Sequence, residues 1–69
     1  MMHLYRIEKI NHNDIKAGKY GGDIMLNTEI EKVYGLDYVW QTIGHKLKRE
    51  RNGYAGIVNG IEYRVMRES

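Results

Sequence analysis

Sixty-nine residues without a single cysteine leave room for one small domain, and exclude disulfide bridges and every thiolate-ligated zinc site. A chain this short buries only about 60% of the surface it exposes when unfolded, so its core is thin and packing must hold it. The net charge of +2 is modest, no apolar run reaches the length of a membrane span, and the start MMHLYRIEK lacks the apolar centre of a signal peptide; these features predict a soluble, cytoplasmic chain with no membrane partner.

In chain order, residues 2–11 (MHLYRIEKIN) place Tyr5, Ile7 and the stem of Lys9 on one side of a short β-strand. Asn11-His12-Asn13-Asp14 is a cluster of turn formers. Asn13 is placed to cap one helical turn over residues 14–17, with Gly18 ending it. Residues 19–26 (KYGGDIML) read as a second extended segment weakened by Gly21-Gly22. Residues 1–26 are thus expected to form an N-terminal β-element.

Residues 27–51 read as two helices. Thr28 and Glu31 have the spacing of a capping box, and Ile30, Val33 and Tyr34 occupy the i, i+3, i+4 face of a first helix over residues 28–34. Gly35 would stop it, and Asp37 would cap the second, over residues 37–49. On that helix Leu36, Val39, Trp40, Ile43 and Leu47 fall on one apolar stripe, with the sole Trp as a core anchor. The opposite side collects Tyr38, Gln41, Thr42, His45, Lys48 and Arg49, with Lys46 and Arg51 on its flanks. Gly44 inside this helix costs about 1 kcal/mol relative to Ala.

Residues 52–69 carry Asn59-Gly60 between two β-rich runs, the strongest short hairpin signal a sequence offers. A two-residue loop there sets Val58 opposite Ile61, Gly56 opposite Tyr63 and Tyr54 opposite Val65 on one side. Of the six tyrosines, Tyr5, Tyr34, Tyr54 and Tyr63 are expected to be structural, and Tyr20 and Tyr38 exposed.

The polar side of the second helix bears amide, hydroxyl, imidazole and guanidinium groups. Such groups read base edges and grip phosphates, although a plain solvated face has the same composition. Four cations crowd into residues 46–51 (Lys46, Lys48, Arg49, Arg51) against the single Glu50, a cluster suited to a polyanion.

Short helix, turn glycine, second helix and hairpin together resemble a small winged helix-turn-helix DNA-binding domain of the phage and bacterial regulator type, over residues 27–67. The resemblance implies an α+β fold with an N-terminal β-element (1–26), a helix-turn-helix (27–51) and a C-terminal β-hairpin wing (52–69). It implies a small transcriptional regulator or accessory factor that binds double-stranded DNA. Gln41 would pair with adenine, Arg49 and Lys48 with guanine or phosphate, and Thr42 with a thymine methyl or phosphate. Tyr38 and His45 would touch phosphate or base edges, Lys46 and Arg51 would neutralise the backbone, and Arg64 on the wing would reach a flanking minor groove. A homodimer is expected, joined through the edge of the N-terminal strand.

Two other functions fit the same residues. The exposed Tyr and Arg groups also suit a protein-interaction module or small inhibitor docking on another protein. Gly18-Lys19-Tyr20-Gly21 looks like the GxxG loop of KH domains, which holds single-stranded nucleic acid by its backbone. The histidines His3, His12 and His45 have no metal-ligand spacing, and no nucleophile lies beside a base. His12 with Asp14 is better explained by turn chemistry than by acid–base catalysis. Neither an enzyme, a metal site nor a cofactor is expected.

Overall fold

The structure, a computed structural model, describes residues 2–44 and 46–69. His45, one of the expected contacts, lies outside the described residues. The fold is α+β, with a sheet rather than a helix pair at its centre. Five strands, β1 (Leu4–Asn11), β2 (Thr28–Tyr34), β3 (Lys48–Glu50), β4 (Gly53–Val58) and β5 (Ile61–Arg67), form an antiparallel sheet in the order β2-β1-β5-β4-β3. Two short helices, α1 (His12–Lys16) and α2 (Asp37–Thr42), and a 3₁₀ turn (Lys19–Gly22) complete the described elements.

The C-terminal hairpin has the expected register, with Val58 opposite Ile61, Gly56 opposite Tyr63 and Tyr54 opposite Val65. Asn59 and Gly60 take φ of 53° and 79°, the double positive φ that a type I′ turn demands. This hairpin is not a wing beside a helix pair. It forms the middle of the sheet, because β5 pairs on its other side with β1.

Residues 28–34 are a strand, not the first helix of a helix-turn-helix. They pair along their whole length with β1, from Leu4 opposite Tyr34 to Ile10 opposite Thr28. Thr28, Ile30, Val33 and Tyr34 are all strand formers, and a partner strand supplies the hydrogen bonds that a lone short helix could not keep. The capping box is not made: the Thr28 hydroxyl donates to the carbonyl of Ile24 at 2.6 Å. Gly35 has the expected left-handed φ of 76°, but it turns a strand into α2 rather than one helix into another.

The second expected helix is shorter than its stripe. It ends at Thr42, and Gly44 follows at φ 82°, a conformation that closes a helix and that glycine adopts at no steric cost. Asp37 sits in its first turn, and the cap position is Leu36, with no side-chain hydrogen bond. The stripe nevertheless buries as expected. Val39, Ile43 and Leu47 close with Ile7 and Val65 into the core, and Leu36, Trp40, Tyr5, Val33, Tyr54, Val58 and Tyr63 pack around it.

At the other end of the sheet, α1 starts two residues earlier than expected. Asn11 is its cap, accepting from the amide of Asp14 at 3.1 Å, while Asn13 donates to the carbonyl of Asn59 at 3.1 Å. Residues 19–26 are not extended, because Gly18, Tyr20, Gly21 and Gly22 all have positive φ and curl the chain. Strand alternation gives the sheet two unlike faces. Tyr5, Ile7 and Lys9 share one face with Tyr63, Val65, Arg67, Tyr54 and Arg49, and this face receives α2. The other carries Ile30, Tyr34, Ile57 and Met66, all exposed. Tyr34, expected to be structural, is 69% exposed because the strand turns it to this open side. Among the described residues no helix is long and apolar enough to cross a membrane.

Candidate nucleic-acid interface

Redrawing residues 28–50 as strand, short helix and strand redistributes the expected contacts. Tyr38, Gln41 and Thr42 remain exposed on α2, and the Tyr38 hydroxyl lies 3.5 Å from Glu31 Oε2. Lys46 is exposed in the segment after α2. Lys48 and Arg49 no longer share a helix side. As neighbours on β3 they point to opposite faces of the sheet, Arg49 towards the face that bears α2 and Lys48 away from it. Arg51 is exposed in the turn between β3 and β4.

Arg64 leaves the group. It stands on β5, on the face opposite α2, and its Nε donates to Glu62 Oε2 at 2.8 Å. Glu62 also meets His12, whose Nε2 lies 2.8 Å from Oε1, so α1 is tied to β5. The hydrogen bonds from His12 and then Arg64 hold the Glu62 carboxyl below its ordinary value. Lys9 is the counterpart on the α2 face. Burial pushes its ammonium down, but the hydrogen bond and charge of Glu31, 3.1 Å away, outweigh that and hold it above the usual value.

The ion pairs divide the cations into two populations. Arg6, Lys9, Lys19, Lys32 and Arg64 each meet a carboxylate, in pairs with Glu8, Glu31, Asp14, Glu68 and Glu62. Among the described residues no Asp or Glu side chain pairs with Lys46, Lys48, Arg49, Arg51 or Arg67, and these five gather around β3 and the adjoining ends of β4 and β5. Glu50 is the acid among them, also without an ion pair. Lys16, on α1, is the remaining unpaired cation.

Arg67 is the member that the sequence reading missed. It lies 16 residues beyond the basic run, and only the pairing of β5 between β1 and β4 carries it to the same end of the sheet. Its signal in the sequence is the hairpin register. Counting outward from Asn59-Gly60 places Tyr54 opposite Val65, so Arg67 is one same-face step further along.

The expected dimer edge also moves. β1 is paired on both sides, by β2 and β5, and has no free edge to offer a second copy. The open edges are β2 and β3. Among the described residues no group of three or more His, Asp or Glu side chains is placed to hold a metal ion.

Fold and surface define an α+β domain with one helix-covered sheet face, one open face and a basic edge. No protein-family model matches the chain, and neither a curated protein nor a solved structure matches it.

Proposed function

We propose that this chain binds nucleic acid by gripping phosphates with the β3 edge. The observation that carries the reading is the segregation of charge: the basic groups elsewhere are almost all neutralised, and those around β3 are not. A surface ion pair is worth roughly 0–1 kcal/mol, so five cations without an acidic side-chain partner cost the fold little and offer donors to phosphate oxygens. Cations on both faces of one edge suit a rod of phosphates lying along it. Double-stranded DNA is the polymer that the exposed Tyr38, Gln41 and Thr42 on α2 favour, as phosphate or base-edge contacts beside the edge. No recognition helix enters this account, since α2 spans six residues and its apolar side faces the sheet.

The test is an anisotropy titration of a short DNA duplex across a salt series. Release of counterions by about five phosphate contacts gives a slope of about −4 in log K against log salt. A flat salt response, or no binding at low salt, removes the reading.

A second reading, docking on another protein, is favoured by a different observation. Ile24, Met25 and Leu26 are three consecutive exposed apolar residues beside the open β2 edge, where Ile30 and Tyr34 are also exposed. Met25→Ser with Leu26→Ser separates the two. These changes leave the salt-dependent DNA affinity intact and abolish only a protein partner's binding.

A further inference from the structure

At the end of the basic edge the sheet is hollowed into an open cleft of about 620 Å³, lined by Arg49, Arg51, Arg67, Tyr5, Tyr54 and Asn52 among others. The strand register explains the gathering. On the α2 face Arg67 stands directly opposite Tyr5 of β1, and Arg49 directly opposite Tyr54 of β4. Tyr54 pairs with Val65, so Arg67 is its diagonal neighbour across the β4–β5 ladder. Arg51 and Asn52 close the end from the turn, and the Asn52 carbonyl accepts from the amide of Arg67 at 3.0 Å.

From this arrangement we propose that the cleft is a nucleotide-phosphate site, holding one phosphorylated nucleotide with its phosphate on the three guanidiniums and its base against the tyrosines. Three arginines line one cleft, and none is matched by an Asp or Glu side chain. The Arg67 Nε donates to an oxygen of the last residue, Ser69, at 2.6 Å, so a phosphate would meet its terminal nitrogens. Guanidinium forks bind phosphate with paired hydrogen bonds, and a dianionic phosphate relieves the repulsion among the three. Tyr5 and Tyr54 supply aromatic surface, on which any base stacks. The volume lies within the range of small-ligand sites.

The acids in the lining do not cancel this charge. Glu68 is held by Lys32 at 3.0 Å and the Ser69 oxygen by Arg67, which leaves Glu50 as the unpaired acidic side chain there. Gly53 keeps the cleft open at its base. A Cβ there would overlap the carbonyl of Val65, so β4 lies against β5 with nothing projecting between them. The site deepens the phosphate-gripping reading and rests on it. The nucleotide is either free or the phosphorylated end of a strand, and the same chemistry serves both.

Trp40, the only tryptophan, reports on the cleft without a label. Its ring meets that of Tyr54 edge-on, with centroids 4.9 Å apart. Titrating the full chain with adenosine 5′-monophosphate is expected to change Trp40 emission saturably, and adenosine without phosphate is expected to leave it flat. Arg49→Gln with Arg67→Gln weakens the nucleotide about tenfold or more, from the loss of charge-assisted hydrogen bonds. Arg51→Gln, in the exposed turn, shifts affinity the same way and serves if the double variant loses its fold. Lys16→Gln, at the far end of the sheet, leaves the titration unchanged.

Oligothymidylates of about eight nucleotides, with and without a 5′-phosphate, distinguish the sources. Tighter binding of the phosphorylated strand assigns the cleft to strand ends, and equal binding assigns it to free nucleotides. A nucleotide signal that is absent, or that survives the arginine substitutions, overturns the proposal. Should the nucleotide fail while a short DNA duplex keeps a steep salt dependence, the cleft falls and the edge reading stands. Should the duplex fail as well, both readings fall.

Discussion

The same small deletion, Ile→Val, made at Ile7 and at Ile30 measures what the sheet does to two isoleucines of adjacent strands. Ile7 is 0% exposed on β1, with Val65 opposite it and α2 above. Losing one methylene there forfeits about 0.8 kcal/mol of transfer energy plus a cavity term, about 1–1.5 kcal/mol in all. Ile30 is 55% exposed on the open face of β2, so most of that methylene already touches water and the change costs about 0.3 kcal/mol or less. Both residues are β-branched, so strand preference is unaltered. A chain this size has roughly 3–10 kcal/mol of stability in total, which makes Val the right probe, because Ala at Ile7 would remove much of it. With a urea m-value of about 1 kcal/mol/M, the Ile7 variant unfolds about 1 M earlier while the Ile30 variant stays near the parent. Equal losses at the two sites would refute the sheet, because a helix over residues 28–34 would bury Ile30 as its central contact.

Gly53→Ala should lower the melting temperature by about 15 °C, since a Cβ overlapping the Val65 carbonyl forces β4 from β5 at about 3 kcal/mol; a calorimetric scan reads it. Glu62 has its carboxyl lowered in the folded chain, so its contribution is present above the unfolded value near 4.5 and is lost as pH falls through the folded one. Glu62→Gln should therefore flatten the stability profile below about pH 5, as followed by urea melts across pH. Lys46→Gln with Lys48→Gln should reduce the salt slope of duplex binding by about 2 without lowering the melting temperature of the free chain, which anisotropy and a thermal melt check together.

How much of this was legible in the sequence depends on how local each signal is. Asn59-Gly60 fixes its own backbone and, through it, six strand pairs, so the hairpin could be read to the residue. The stripe Leu36, Val39, Trp40, Ile43, Leu47 was right about burial even where the helix stops, because Leu47 reaches the core from the segment beyond Gly44. Residues 28–34 fit two periods at once. Ile30, Val33 and Tyr34 match a helix face, and the alternation of Thr28, Ile30, Lys32 and Tyr34 matches a strand. Local capping signals tipped the balance to helix, and what decides it is a partner strand whose residues lie from Ile10 opposite Thr28 back to Leu4 opposite Tyr34, far off in sequence. The site was legible as composition and not as shape. The basic run was visible, but β3 splits Lys48 and Arg49 between faces, and Arg64 is spent on Glu62. Arg67 joins only through long-range pairing.

The two open edges of the sheet are finished differently, and the difference bears on function. An exposed edge invites pairing with other chains, and proteins guard against it with short strands and charge. β3 has three residues, Lys-Arg-Glu, and meets that description. Guarding an edge needs charge of either sign, paired or not, so protection alone would accept Lys-Glu pairs like those on β1 and β2. What protection does not explain is the collection of Lys46, Arg51 and Arg67 around the same edge with no Asp or Glu partners, in a chain that pairs most of its other cations. Like charges set close together repel, and at physiological salt that repulsion is screened only beyond about 8 Å, so the arrangement lowers stability slightly. A polyanion reverses the sign of that contribution, turning mutual repulsion into a shared attraction when phosphate arrives. β2, by contrast, is seven residues long, leaves Ile30 and Tyr34 exposed, and carries acids and a lysine in near balance. Phosphate has no purchase there, and an added strand would find both free backbone groups and apolar side chains. The fold thus sets charge at one edge and apolar surface at the other, which is why salt, acting on only the first, is the variable that separates the two readings.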